Sequence, residues 1–453
     1  METDVSAPVP EFVPRRALLS ALGAMAFGLA RKASAQVTIG TQTLPNPLLS
    51  LVHRVTFGST QTEVSLAKTL GFTAYLEYHL DPDGIPDFAL DTLLLPYTTL
   101  TMPPNQLYGL SGATVRNELT DATIVRAIHS KRQLFERMVE FWTDHFNIDI
   151  LVGDCTFLKT VDDREVIRPH AMTTFPQLLR ASAHSPAMLR YLDNHTNKAV
   201  SPNQNYAREL MELHTLGVAG GYTQTDVEEV ARCFTGWTYN QASGNINRGR
   251  FVFNNSQHDN GTKTVLGHPI PAGGGQQDAE TVLDILPAPP STSRFDGLKL
   301  AHYLLRYDPS EALVDQIAAT YAQTGGDIKA MIRTILTFRN IKLVPLKYKR
   351  PLHLVVSGLR ATGATVSSYS TLRSVTLPSM GHLPYRWGHS DGYPDQLAYW
   401  VGLILPRWNF GFSMLNGQLS GVSVDVNALL GTATTAQQVA DAIDTALFAG
   451  ELG

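Results

Sequence analysis

The chain has 453 residues with a formal net charge of −4, 43% hydrophobic and 17% charged residues, which is the balance of a globular protein with a large core. There is no basic excess to suggest nucleic acid. The two cysteines, Cys155 and Cys233, exclude a disulfide scaffold and are expected as free thiols.

The first 35 residues read as an export signal. Arg15-Arg16 precede an apolar run from Ala17 to Ala30, then Arg31-Lys32 and the small-x-small site Ala33-Ser34-Ala35. The run is too short to span a bilayer, which needs roughly 20 residues. The arginine pair indicates the twin-arginine route, with the mature chain beginning at Gln36 and a periplasmic or secreted destination. The alternative is an amphipathic N-terminal helix that stays attached. No later stretch reaches transmembrane length.

Downstream, helical periodicity recurs between loops. Helices are expected at Leu48–Val55 and Thr62–Leu80, the latter stopping at Asp81-Pro82-Asp83-Gly84. Leu90–Tyr108 reads as irregular. Val115–Ile148 carries a helical period, clearest over Ala122–Ile128 and Arg132–Phe146. Phe175–Ala183, Pro186–Leu192 and Asn205–Leu216 follow, the last closed by Gly217. Thr225 and Glu228 have capping-box spacing for the next helix. Alternating aromatics in Gly236–Gly267 predict a β-hairpin. Helices are expected again at Leu298–Tyr307, Glu311–Gln323, Ile328–Thr337, Leu352–Ala361, Gln396–Leu405, Asn409–Leu415 and Ala436–Leu447, with Met380–Asp395 a Gly/Pro/aromatic loop. No repeat or linker divides the chain. The expected fold is mainly α: one large multi-helix domain over 36–453, with irregular loops and a short β-hairpin insertion.

Several segments are familiar as a set: Arg54-Val55-Thr56-Phe57-Gly58, Phe141-Trp142-Thr143-Asp144-His145-Phe146, Ser185-Pro186-Ala187-Met188-Leu189, and Asn205-Tyr206-Ala207-Arg208-Glu209-Leu210-Met211-Glu212-Leu213-His214-Thr215-Leu216-Gly217 with Gly221-Tyr222-Thr223-Gln224 after it. Thr235-Gly236-Trp237-Thr238, Lys349-Arg350-Pro351 and Asp391-Gly392-Tyr393-Pro394 complete it. The chain resembles the bacterial domain-of-unknown-function 1800 family from about Leu48 into the 410s. The resemblance implies an exported, largely helical protein, often encoded beside an exported sulfatase-like or phosphatase-like partner. It carries over no catalytic residues.

The candidate chemistry is therefore read from side chains. Glu209 and Glu212 share a helical face, with Arg208 placed to pair with Glu212 and His214 toward the apolar side. Such carboxylates suit an acid/base pair or, with His145, a divalent metal such as zinc or manganese. Asp144 and His145 end the preceding aromatic-faced helix, and Asp144 and His214 join Glu209 and Glu212 as candidate catalytic groups. The other reading of these residues is a buried polar network. Arg208 on the helix, His258, Asp259 and Lys263 in a turn, and Trp387 and Tyr393 with His382 in the Gly/Pro loop, are candidate substrate-binding groups. The alternatives there are turn chemistry and a lid on the core. No GxSxG elbow, HExxH, P-loop or dinucleotide fingerprint is present. Two readings follow. One is an exported metal- or carboxylate-dependent hydrolase of a polymer or cell-envelope substrate. The other is a non-enzymatic envelope scaffold or partner of the sulfatase-like protein.

Overall fold

The structure, a computed structural model, describes residues 46–450; the expected signal and its cleavage site lie outside them. The described chain opens with α1, Pro47–Val55, where Pro47 sits at the first position and Asn46 Oδ1 accepts from Leu48 N at 2.9 Å. Its C-terminal carbonyls lack intrahelical partners. Arg137 supplies them: Nη1 donates to the carbonyls of His53, Arg54 and Thr56 at 3.3, 2.6 and 3.2 Å. Helix α2, Gln61–Leu80, is capped by Thr60 and bent at Gly71, whose φ of 74° a side chain would resist.

The helical run expected over 115–148 is two helices, α3 (Gly112–His129) and α4 (Gln133–His145). They part where the buried Asp87 carboxylate accepts from Ser130 Oγ and Lys131 N, bonds that a continuous helix would forbid. Along α4, Leu134, Met138, Phe141, Trp142 and His145 recur at helical spacing and are all buried. The 88–107 stretch is less irregular than expected, with short helices at Phe88–Leu94 and Pro104–Leu107.

Helix α5, Cys155–Asp162, widens through one π-type turn at Asp163–Ile167 into Arg168–His170. No sequence expectation covers it, because its inward face carries charges. Lys159 is buried against Asp162, and Asp163 is held by Arg168 and Arg126. Helices α6 (Phe175–Ala183) and α7 (Pro186–Tyr191) follow as expected. Helix α8, Asn205–Glu212, stops short of the expected Leu216, and His214 N reaches back to Glu209 O in a wider turn. Helix α9, Gln224–Cys233, is capped by a box of Thr223 and Asp226, two residues before the pair expected.

The hairpin is present, with β1 (Trp237–Tyr239) antiparallel to β2 (Phe251–Phe253) and Trp237 opposite Phe253. A second, β3 (Lys263–Val265) with β4 (His268–Ile270), packs on α9. Helices α10 (Gln277–Ile285), α11 (Pro290–Leu304), α12 (Glu311–Thr324) and α13 (Ile328–Ile335) close the larger core. Helix α11 begins eight residues before the helix expected there, since Pro290 serves as its first residue. A smaller core gathers on α14 (Pro351–Ala361) and α15 (Ile404–Leu415). The helix expected over 396–405 forms as Leu397–Trp400, and its last two residues begin α15. The last helix is α16, Ala436–Phe448. The fold is mainly α as expected, with only two-stranded sheets among the described residues. Both cysteines are buried and free. No described helix is long and apolar enough to cross a membrane.

Candidate functional site

The sequence candidates divide into separate environments. His145 and His214 meet, His145 Nε2 donating to the His214 carbonyl at 3.1 Å. An aromatic shell with Phe146 and Phe175 surrounds them. Burial keeps both imidazoles neutral, His214 brought down to about 3 and His145 well below its ordinary value. Glu209 lies apart from them, hydrogen-bonded to Ser390, its carboxyl pushed up by burial with Glu212 and Asp391 close by. Glu212 bonds Tyr222 instead, and Arg208 donates to Gln224 at 2.9 Å, not to Glu212. The expected metal set of His145, Glu209 and Glu212 is therefore not assembled. Among the described residues no three His, Cys, Asp or Glu side chains converge in a way that could hold a metal ion.

The turn candidates are held by internal contacts. His258 Nε2 and Lys263 Nζ both bond the buried Asp278 carboxylate, at 3.1 and 2.7 Å, and Asp259 is held by the Arg232 guanidinium. Trp387 Nε1 donates to Asp391, and Tyr393 is buried with its hydroxyl on the Leu383 backbone. His382 Nδ1 accepts from Leu352 N at 3.3 Å and so caps the start of α14. These residues pack as a lid on the core.

Asp144 has a different setting. It lies one turn beyond Glu140 on α4, so both carboxylates leave the helix on the same side. The segment before Pro351 runs into that side. Arg350 Nη1 donates to Asp144 Oδ2 at 2.6 Å and lies 3.9 Å from Glu140 Oε1, while Nε faces Asp395 at 3.5 Å. From the next turn, His353 Nε2 donates to Glu140 Oε2 at 2.6 Å, where the Tyr303 hydroxyl also donates at 2.6 Å. Lys347 completes the group on Asp395.

These contacts set the two carboxylates apart. Burial opposes the charge of Glu140, but His353 and Arg350 outweigh it and hold the carboxyl well below its usual range. Burial pushes Asp144 up to about 7, the Glu140 charge adding to the push and Arg350 opposing it. His353 is lowered to about 4 by burial, against the pull of Glu140, and is neutral at pH 7.

The network backs onto a cavity of about 490 Å³ between α1, α4, α11 and the 344–350 segment. Its wall carries Arg54, Arg137, Lys347, Lys349 and Arg350, with His53 and His353, against one carboxylate, Asp395. Arg350 and Lys347 have their carboxylates, and Arg137 places Nη1 on carbonyls while its Nε has no hydrogen-bond partner among the described residues. Among the described residues the Lys349 ammonium makes no ion pair. Burial, Arg137 and Arg54 together lower it to about 8. His53 falls to about 4 by burial, with Lys349 and Arg54 adding to the fall. This is a cation cluster without enough counter-charge. Sequence reasoning names neither Glu140, His353 nor Lys349 as a site residue. The available signals were the i,i+4 carboxylates of α4 and the basic cluster Lys347, Lys349, Arg350 ahead of Pro351.

Fold and site thus define a class: a mainly helical protein with an uncompensated basic cavity backed by a histidine–carboxylate pair. The chain matches the family model described as "Protein of unknown function (DUF1800)" over residues 50–453, and it belongs to that family. Neither the curated proteins nor the solved structures contain a match to it.

Proposed function

We propose that this is an exported hydrolase, periplasmic or secreted, that acts on an anionic polymer or cell-envelope substrate. The observation that carries this is the His353–Glu140 contact of 2.6 Å on the wall of a cavity lined by five arginines and lysines. A neutral imidazole oriented by an ionised carboxylate is the base half of a hydrolytic triad. Glu140 accepts a hydrogen bond from Nε2–H, so the imidazole takes up a proton at Nδ1, which makes no hydrogen bond to the protein among the described contacts. The substrate's acid group sits against Arg54, Arg137 and Lys349. Its charge offsets the cations that face His353 and so strengthens the base. Water loses a proton to His353 as its oxygen attacks the ester centre. The bond to the leaving oxygen then breaks, and that oxygen takes the proton back. Arg350 neutralises charge developing on the way.

Hydrolysis of p-nitrophenyl phosphate, p-nitrophenyl sulfate and an uncharged p-nitrophenyl ester tests this. Turnover should favour an anionic ester. His353→Asn and Glu140→Gln should each lower kcat by about 10²–10⁴. Absence of anionic turnover, or turnover unchanged in both variants, would remove the proposal.

A second reading has its own observation. Between Leu397 and Leu405 several apolar residues face solvent, Leu405 being 70% exposed. A patch of this kind marks a docking surface, which favours a scaffold or partner of an exported sulfatase-like protein. Leu403→Asp with Leu405→Asp should then abolish co-purification of that partner and leave ester turnover unchanged.

A further inference from the structure

The basic cavity adjoins a second one of about 620 Å³, and His53, Lys349, Leu447 and Phe448 line both. The second cavity is built differently. Leu354, Phe410, Met414, Leu430 and Ile443 dominate its wall. Its one carboxylate, Asp425, caps a short helix by accepting from Ala428 N at 2.9 Å. Leu447 and Phe448 belong to the end of helix α16, which Gln61 Nε2 anchors by donating to Thr445 O at 2.6 Å. The combined space is therefore cationic at one end and apolar at the other, with Lys349 and His53 at the junction. At the basic end Leu346 is 87% exposed, so that cavity reaches the surface.

We propose that the site takes an amphipathic anion: an alkyl or acyl chain ending in a phosphate or carboxylate. The head lies against Lys349, Arg54 and Arg137, and the chain runs past Leu447 and Phe448 into the apolar cavity. The inference rests on reading the basic cavity as an anion site and adds the class of ligand. Two features support it independently. A charged head alone would leave the apolar cavity unused, and a neutral chain alone would leave the Lys349 ammonium at the junction without counter-charge. Pockets of this combined size are those that enclose most of a ligand of several hundred daltons.

Calorimetric titration of the full chain tests it, with inorganic phosphate, octyl phosphate, decyl phosphate, octanoate and decyltrimethylammonium, all below micelle-forming concentrations. Decyl phosphate should bind about tenfold more tightly than octyl phosphate, as expected for two further buried methylenes. Octyl phosphate should in turn exceed inorganic phosphate by at least about 100-fold. Octanoate or octyl phosphate binding supports the proposal, and the tighter of the two identifies the head group. Ala361→Phe, which fills the apolar cavity, should erase the chain-length dependence while leaving inorganic phosphate binding within about twofold. Leu430→Asp is the second variant should that one fail to fold. Phosphate binding that gains nothing from the chain would overturn this inference and leave the anion site standing. Binding of no anion would overturn both, and equal binding of the cationic detergent would overturn the head-group assignment.

Discussion

Replacing Lys349 by Met should make the protein more stable. In the folded chain this ammonium is partly buried, faces Arg137 and Arg54, and has no carboxylate partner. Its fall from 10.5 to about 8 corresponds to roughly 3 kcal/mol of unfavourable interaction at most. Met keeps the length and the apolar packing of the stem, so a gain of about 1–3 kcal/mol is expected at pH 7 and low salt. The pH dependence fixes the sign. A base whose folded pKa is depressed releases its proton early on folding, so the penalty is complete below about 8 and fades as pH rises toward 10.5. The gain from Lys349→Met should therefore be constant from pH 6 to 8 and vanish above about 10.5. Urea denaturation across that range measures it, with an unchanged m-value as the control. Destabilisation by Lys349→Met at pH 7 would refute the claim that this cation lacks a partner.

Other outcomes follow from the same network. Arg350→Met leaves Asp144, Asp395 and Glu140 facing one another without their shared cation and should cost about 3–5 kcal/mol at pH 7.5 by denaturant unfolding. Asp144 holds a proton in the folded state that the unfolded chain has released, so the protein should lose about 2–4 kcal/mol of stability as pH rises from about 4 to about 7. Asp144→Asn should flatten that part of the curve, and an unaltered slope would show that another group produces it. Gly392 has a φ of 75°, and an added Cβ would fall 2.1 Å from the Asp144 carbonyl. Gly392→Ala should therefore cost about 1–3 kcal/mol in a thermal melt.

Where the sequence alone was sufficient, apolar spacing and capping agreed. Phe175–Ala183 was readable to the residue, and the hairpin showed in the alternation around Trp237 and Phe251–Phe253. Reading failed where charge is buried. The Cys155–His170 stretch turns Lys159, Asp162 and Asp163 inward, so its buried face looks polar. The same feature hid the site. Glu140 and His353 are 213 positions apart, and nothing in local pattern announces that they meet. In sequence Asp144 stands beside His145, yet its partner is Arg350, 206 positions away. Glu209 and Glu212 are related by helical spacing alone. Helix α8 ends before His214, so the three could not form one face.

The central claim is that the basic cavity binds an anion. The most direct test is the stabilisation of the wild type and Lys349→Met by inorganic phosphate at constant ionic strength. Comparing the two chains cancels the general salt effect. At about 100 times the dissociation constant, a bound anion should stabilise the wild type by about 2.7 kcal/mol, and the variant by much less. Equal stabilisation of both proteins, or none of either, would contradict the account.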